Sequence, residues 1–172
     1  MKRTYIVELV VDEETEKKLR QLCDLSSKLW NEVNYVRLRI WLEKKGIDFD
    51  GTYKEFYEKY KPLIGSATAQ QILNKNNNAW RSFFRLLELK REGRLPPFIT
   101  KVSPPGYKKK RKSRMLWAVL RKDQCEVAGD RIILKFHHKM SARNHVQGNN
   151  KPQAIPKPNS HYTIRPRGLG SK

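Results

Sequence analysis

Five consecutive cations, Lys108-Lys109-Lys110-Arg111-Lys112, follow the turn Pro104-Pro105-Gly106-Tyr107. Five adjacent charges cannot enter a core. Set between a proline-fixed turn and a segment that reads as a strand, they form a positioned row of phosphate contacts, to which Arg114 belongs, with Tyr107 and Trp117 close by as groups that stack on bases. The alternative for the same residues is a flexible, solvated loop. A second polar set, Gln70, Gln71, Asn74, Lys75, Asn77, Asn78, Arg81, Ser82 and Arg85, holds no acid. The three asparagines at 76–78 are poor helix formers unless their amides have something to bind. Lys75, Asn78, Arg81 and Arg85 suit a phosphate backbone or base edges, while amides of this kind also bridge neighbouring helices.

Other chemistry is missing from the chain. No Gly-rich phosphate loop, Gly-x-Ser-x-Gly elbow or His-Glu-x-x-His occurs. Cys23 and Cys125 are far apart with no Cys-x-x-Cys, so neither a disulfide framework nor a zinc ribbon is built from them within this chain. His137 and His138 are adjacent and point opposite ways on a strand, which makes a poor metal site. Two-metal phosphoryl chemistry needs carboxylates converging from separate elements. The acids after Glu58 are Glu88, Glu92, Asp123, Glu126 and Asp130, the first two near a helix end and the others in a hairpin region. No catalytic residue, metal or cofactor is expected, and no small-molecule substrate.

Charge identifies the partner class. The net charge is +20 over 172 residues, but residues 1–58 carry 11 cations and 12 anions, whereas residues 59–172 carry 26 and 5. So one-sided a distribution repels itself until a polyanion neutralises it, which makes nucleic acid the leading partner and an anionic lipid surface the weaker one. The longest apolar runs are a few residues, far short of the roughly 20 that cross a bilayer. Glu8 and the acids from Asp12 to Glu16 interrupt any signal-peptide core, so a cytoplasmic, nucleoid-associated protein is expected.

The elements that must position these residues are legible as patterns. Thr4–Val10 alternates like a strand. Asp12, followed by Glu13, Glu14 and Glu16, opens a long helix whose stripe Leu19, Leu22, Ser26, Leu29, Val33, Val36, Ile40 recurs at spacings of 3 and 4 up to Lys45, with Gly46 closing it and Trp30 and Trp41 widening the stripe. Thr52 and Glu55 have the form of a capping box for a short helix faced by Tyr53, Phe56, Tyr57 and Tyr60 that ends before Pro62. Gly65-Ser66 opens a third helix along Ala69, Ile72, Asn76, Ala79, Phe83 and Leu86, ending near Lys90–Arg91. The spacing predicts the two long helices packed antiparallel with the aromatic helix as a lid. Met115–Leu120 and Ile132–Phe136 read as strands, and Cys125–Val127 pairs with Ile132–Leu134 across Gly129-Asp130. From His137 the pattern stops in a proline-rich basic stretch expected to be disordered.

Several segments together resemble a known family. Leu25-Ser26-Ser27-Lys28-Leu29-Trp30-Asn31-Glu32-Val33-Asn34-Tyr35, Thr52-Tyr53-Lys54-Glu55, Ser66-Ala67-Thr68-Ala69-Gln70-Gln71, Ala79-Trp80-Arg81-Ser82-Phe83-Phe84, Leu95-Pro96-Pro97-Phe98, Pro104-Pro105-Gly106-Tyr107 and Leu120-Arg121-Lys122-Asp123-Gln124 resemble, in this order, the N-terminal half of the TnpB (OrfB) proteins of insertion sequences. The resemblance runs over roughly residues 1–136. It implies the scaffold of an RNA-guided DNA endonuclease, in which a wedge β-barrel carries an inserted helical recognition domain and the protein grips nucleic acid by shape and backbone charge. The expected fold is therefore α+β: a first wedge strand at 1–11, a helical recognition bundle at 12–95 inserted into a partial, OB-like barrel, further wedge strands at 96–136, and a disordered basic tail at 137–172. The family's RNase H-like nuclease domain and four-cysteine zinc ribbon have no counterpart in these residues.

Two lines of reasoning thus converge on a transposon-encoded protein that binds structured RNA or DNA without cleaving it, with the pattern of a truncated family member. The contrasting expectations are a nuclease or transposase subunit completed in trans, a protein interaction module docking through the Tyr53–Tyr60 helix, and a functionless relic with open sheet edges.

Overall fold

The computed structural model of the chain describes residues 9–110, 113–128, 131–135 and 162–166. Three helices dominate it: α1 (Glu13–Leu42), α2 (Phe49–Ile64) and α3 (Ser66–Arg91). Asp12 caps α1, its carboxylate accepting from the Thr15 amide at 2.9 Å and the Thr15 hydroxyl at 2.6 Å. Ion pairs one turn apart, Glu13–Lys17, Glu14–Lys18 and Glu16–Arg20, line the first two turns.

The far end of α1 departs from the pattern in the sequence. The helix stops at Leu42, and Lys44, not Gly46, takes the left-handed conformation with φ of 57°. The Lys44 amide donates to the Trp41 carbonyl and the Lys45 amide to the Ile40 carbonyl, the paired bonds of a Schellman termination. α3 ends in the same way, with Gly93 in the left-handed position (φ 67°) and the Gly93 and Arg94 amides donating to Lys90 and Leu89. α2 begins earlier than the Thr52–Glu55 pair suggests, because Asp48 caps it through the Gly51 amide at 2.9 Å. It also continues past Pro62, which lies in its last turn. Gly65, at φ 82°, is the single residue between α2 and α3.

Contacts give the helix directions. Arg37 of α1 meets Thr52 of α2 and Glu32 meets Lys59, so these two helices run oppositely. Arg37 meets Asn76 and Trp41 meets Phe83, so α1 and α3 run in the same sense. This corrects the antiparallel pairing predicted for the long helices. A near-complete reversal at Gly65, after the first reversal at 43–48, brings α3 back parallel to α1, and α2 is a full member of the bundle, not a lid. The core joins Leu22, Leu29, Trp30 and Val33 to Phe56, Tyr60 and Ile64 and to Ala69, Ile72 and Leu73. Beyond it, Trp41, Trp80, Phe83 and Phe84 form an aromatic cluster with centroid spacings of 5.3–6.5 Å.

A charge sits inside this bundle. Arg37 is fully buried, and its guanidinium donates to Asn76 Oδ1 (2.7 Å), to Thr52 Oγ1 (2.9 Å and 3.1 Å) and to the Phe49 carbonyl (3.3 Å), while packing over the Phe49 ring. No carboxylate pairs with it among the described residues. Burial first, and neighbouring Arg81 second, push its pKa down to about 10, so it stays a cation at neutral pH.

Six strands complete the described structure. β1 (Leu9–Val10), β4 (Cys125–Ala128), β5 (Arg131–Leu134) and β6 (Tyr162–Pro166) form an antiparallel sheet in the order β1-β6-β5-β4, and β2 (Lys109–Lys110) pairs with β3 (Ser113–Arg114). The predicted hairpin is present in its predicted register, Cys125 opposite Leu134 and Val127 opposite Ile132. The helices lie between β1 and the other strands of its sheet in chain order. A barrel is not formed by the described residues: the sheet is open, with β1 and β4 at its edges. Two further expectations are corrected. Residues 115–120 are irregular; the Met115 amide donates to the Lys108 carbonyl, and the Met115 carbonyl accepts from the Ser27 hydroxyl of α1. Tyr162–Pro166, expected to be disordered, is strand β6, where a five-residue alternation too short to stand out between prolines is completed by pairing on both sides. The remainder of the expected tail, like Thr4–Glu8 of the first strand, lies outside the described residues.

Two stability predictions follow from the helix ends and the buried cation. Lys44→Gly relieves the left-handed strain and raises the unfolding free energy by about 0.5–1 kcal/mol in urea denaturation. Arg37→Met and Asn76→Leu each cost about 2 kcal/mol or more by orphaning a buried partner, and the double variant costs at least about 1 kcal/mol less than their sum; strict additivity would show that the two groups do not act as one unit.

Candidate nucleic-acid interface

The cationic segment is built onto one row of α1. Asp24, Ser27, Asn31 and Asn34, spaced 3, 4 and 3, lie along one side of the helix with Trp30 beside them. An irregular segment must find partners for its peptide groups, and this row supplies them. Asn34 donates to the Pro105 carbonyl (2.8 Å), and the Trp30 indole donates to the Gly106 carbonyl (2.9 Å). Asn31 both accepts from the Lys108 amide (2.7 Å) and donates to the Lys108 carbonyl (3.2 Å), and the Ser27 hydroxyl donates to the Met115 carbonyl. Asn34 is itself fixed from the other side by the buried Trp80 indole (2.9 Å). Arg114 closes the dock with a forked pair of 2.7 Å bonds to Asp24.

The cations of the segment consequently divide. Lys108 turns inward: its ammonium lies 4.7 Å from the Trp30 ring centre and 4.6 Å from that of Trp117, and the two indoles meet edge to face at 5.5 Å. Burial first, and Lys75 second, lower its pKa. Lys75 approaches Trp117 too, at 5.9 Å, so two ammonium groups share one indole. Trp117 is thus half-buried between Trp30 and these lysines, whereas Tyr107 and Lys109 are exposed. Lys110 lies in β2, and Arg111 and Lys112 fall outside the described residues.

On α3 the polar run splits as well. Asn76 points inward to Arg37, and Asn77 is half-buried with its Oδ1 unpartnered. Asn78, Arg81 and Arg85 are exposed, Arg85 paired to Glu88. The structure therefore brings Lys75, Lys108 and Trp117 together, and sets Asn78, Arg81 and Arg85 further along the same helix, Arg81 being about 9 Å beyond Lys75 along its axis. The acids stand apart: Glu92 pairs with Arg94, Asp123 with Arg121 and Glu126 with Lys135. Three or more metal-ligating side chains do not gather anywhere among the described residues, and no helix there is long and apolar enough to cross a membrane.

Reading the pattern along α1 as an apolar stripe that Trp30 merely widens misses Ser27, Asn31 and Asn34, which position the interface, and the buried Arg37. Their signal is present, since Ser27, Trp30, Asn34 and Arg37 recur at the 3 and 4 spacings of a buried row; it is hidden because three of the four are polar.

No protein-family model matches the chain, and no solved structure does. It is 50% identical over 138 residues to the TnpB-like protein ORF457 of Acidianus two-tailed virus. Over that stretch the chain is TnpB-like. The match takes in 78% of this chain and 30% of the viral protein, so the chain spans under a third of that relative's length. The TnpB resemblance carried by the scattered motifs of α1, α3 and the 95–124 segment thus has a relative to stand on, and those motifs include the residues that dock the cationic segment: Ser27, Trp30, Asn31 and Asn34 all fall in the first of them.

The Arg114 fork holds the Asp24 carboxyl below its ordinary value of 3.8. A carboxylate lowered in the folded state stabilises it above that value and loses the contribution as pH falls through the native one. Asp24→Asn accordingly lowers the unfolding free energy at pH 7 by up to about 1 kcal/mol, the range of a partly exposed pair. The gap between variant and parent closes below pH 3.8, as urea titrations at both pH values measure.

Proposed function

We propose that this TnpB-like chain is a nucleic-acid-binding platform that grips structured RNA or DNA through phosphate contacts and does not itself cleave it. The observation that carries the reading is the docked segment 105–115. Among its described residues, Pro105, Gly106, Lys108 and Met115 make five backbone hydrogen bonds with α1 side chains, which sets Lys108 beside Lys75 of α3. Lys75 and Lys108 meet over Trp117 with no ion-pair partner for either among the described residues, an arrangement that an anion relaxes. Lys109, Asn78, Arg81 and Arg85 extend the contact, with Arg111 and Lys112 next to Lys110 in the chain and Tyr107 as an exposed ring for stacking. The shape-and-charge mode of binding, with base pairing to a guide reading sequence, is what the family resemblance implies. The non-cleaving part of the proposal is supported by the acids: among the described residues after Glu58, Glu88, Glu92, Asp123 and Glu126 each pair with a neighbouring cation in separate places, where metal-dependent chemistry needs them gathered.

Binding of a structured RNA and of a DNA duplex should weaken steeply with salt. About six phosphate contacts give a log–log slope near −5 on duplex, and Lys75→Gln or Lys109→Gln each reduce it by about 1. The same mixtures with Mg²⁺ or Mn²⁺ leave the nucleic acid uncut. A slope near zero on every nucleic acid removes the binding proposal, and any metal-dependent cut removes the non-catalytic one.

A further inference from the structure

Past the docked segment, α3 has a second feature that phosphate gripping alone does not use. An open groove of about 560 Å³ is lined by Trp41, Arg81, Phe84, Arg85, Glu88 and Arg91, a size within the roughly 300–1,000 Å³ of small-molecule sites. Its two rings are half-buried and held in place by others: Trp41 meets Phe83 edge to face at 5.3 Å, and Trp80 lies 5.8 Å from Phe84. Its cations are all arginines. Glu88 is taken by Arg85, while neither Arg81 nor Arg91 has an ion-pair partner among the described residues. The buried Arg37 lies close enough to Arg81 for that charge to lower its pKa further, and it too is without a carboxylate among the described residues.

We propose that this groove is a site for one unpaired nucleotide, its base stacked on the Trp41 and Phe84 rings and its phosphate held by Arg81 and Arg91. The inference deepens the nucleic-acid reading above and rests on it. Stacking needs a flat, rigid, partly exposed aromatic surface, which the Trp80–Phe83 packing supplies before any ligand arrives. Arginine matches phosphate geometry with a planar fork, and an unopposed field from Arg37 and Arg81 favours the anion. Base, sugar and phosphate together account for both halves of the groove, whereas a bare phosphate leaves the aromatic half unused and a merely apolar ligand leaves the guanidiniums unused. The nucleotide has two sources, a free mononucleotide or an unpaired residue flanking a helix.

The test compares three probes on the full chain: AMP, a blunt hairpin duplex, and the same hairpin with a single unpaired 3′ adenosine. Tryptophan quenching and competition binding are read on the parent, Trp41→Leu and Arg91→Gln. The second variant leaves the aromatic cluster intact in case the first unfolds. A strand-borne nucleotide makes the overhang hairpin bind about tenfold tighter than the blunt one, and that ratio falls to about one in both variants. A free-nucleotide site instead shows AMP binding that both variants lose, with a ratio near one throughout. Blunt and overhang hairpins bound equally, with AMP unbound, overturn the groove while leaving the phosphate platform standing. A tenfold ratio that survives both variants also overturns it, and failure of every probe to bind the parent removes the platform and the groove together.

Discussion

The bundle and the docked cationic segment both hang on a row of hydrogen-bonding side chains that α1 turns inward. An apolar stripe fixes which face of a helix is buried but not its register, because hydrophobic contact is non-directional. Directional bonds remove that freedom. Arg37 reaches acceptors on both α2 and α3, Asn34 joins the Trp80 indole to the Pro105 carbonyl, and Asn31 pairs with the backbone of Lys108 as a strand would. A slip of one residue along α1 breaks these bonds together and leaves buried polar groups unpaired, at about 1–3 kcal/mol each. One helix thus sets the order of the bundle and the position of the cationic segment at once.

This dependence also explains what could be read from the sequence and what could not. The three helices are legible because propensity, caps and period agree: Asp12, Gly65 and Gly93 mark boundaries that the structure keeps. The β4–β5 hairpin is legible for the same reason, since Gly129-Asp130 interrupts two β-rich runs of matching length. Lys44 defeats the reading of the α1 terminus, because nothing in a lysine announces a left-handed backbone. The parallel sense of α1 and α3 is not carried by matching stripes either; it follows from two short reversals, the second made by one glycine. Residues 115–120 look like a strand because they form a short continuous apolar run, yet the Met115 carbonyl bonds to Ser27, 88 positions earlier, and not to a strand.

Charge is the part of the sequence most easily over-read. The net +20 names a polyanionic partner class, but it does not say which cations meet that partner. Arg37 is inside the bundle, Lys108 is wedged between two indoles, Arg114 is neutralised by Asp24, and the cations in the first turns of α1 are paired one turn away. Among the described residues, Lys75 beside Trp117 and Arg81 and Arg91 of α3 have no ion-pair partner. Aromatic rings accompany both places, Trp117 beside Lys75 and Trp41 and Phe84 beside Arg81 and Arg91.

The identity of the groups around Arg37 connects stability to this surface. A carboxylate in place of Asn76 or Thr52 would form a buried ion pair and offset part of the desolvation cost of the guanidinium. It would also cancel the charge. Neutral acceptors satisfy the donors without cancelling it, so the bundle retains a positive centre beneath the exposed face of α3, in surroundings where fields are screened far less than in water. Arg81 adds its charge to that of Arg37, and a field that costs the free protein stability would lower the energy of the anion proposed to bind there. A fold selected for stability alone would fill this position with an ion pair or with apolar volume; an arginine held only by an amide, a hydroxyl and a carbonyl keeps a positive charge beneath α3, which is what the proposed phosphate binding calls for.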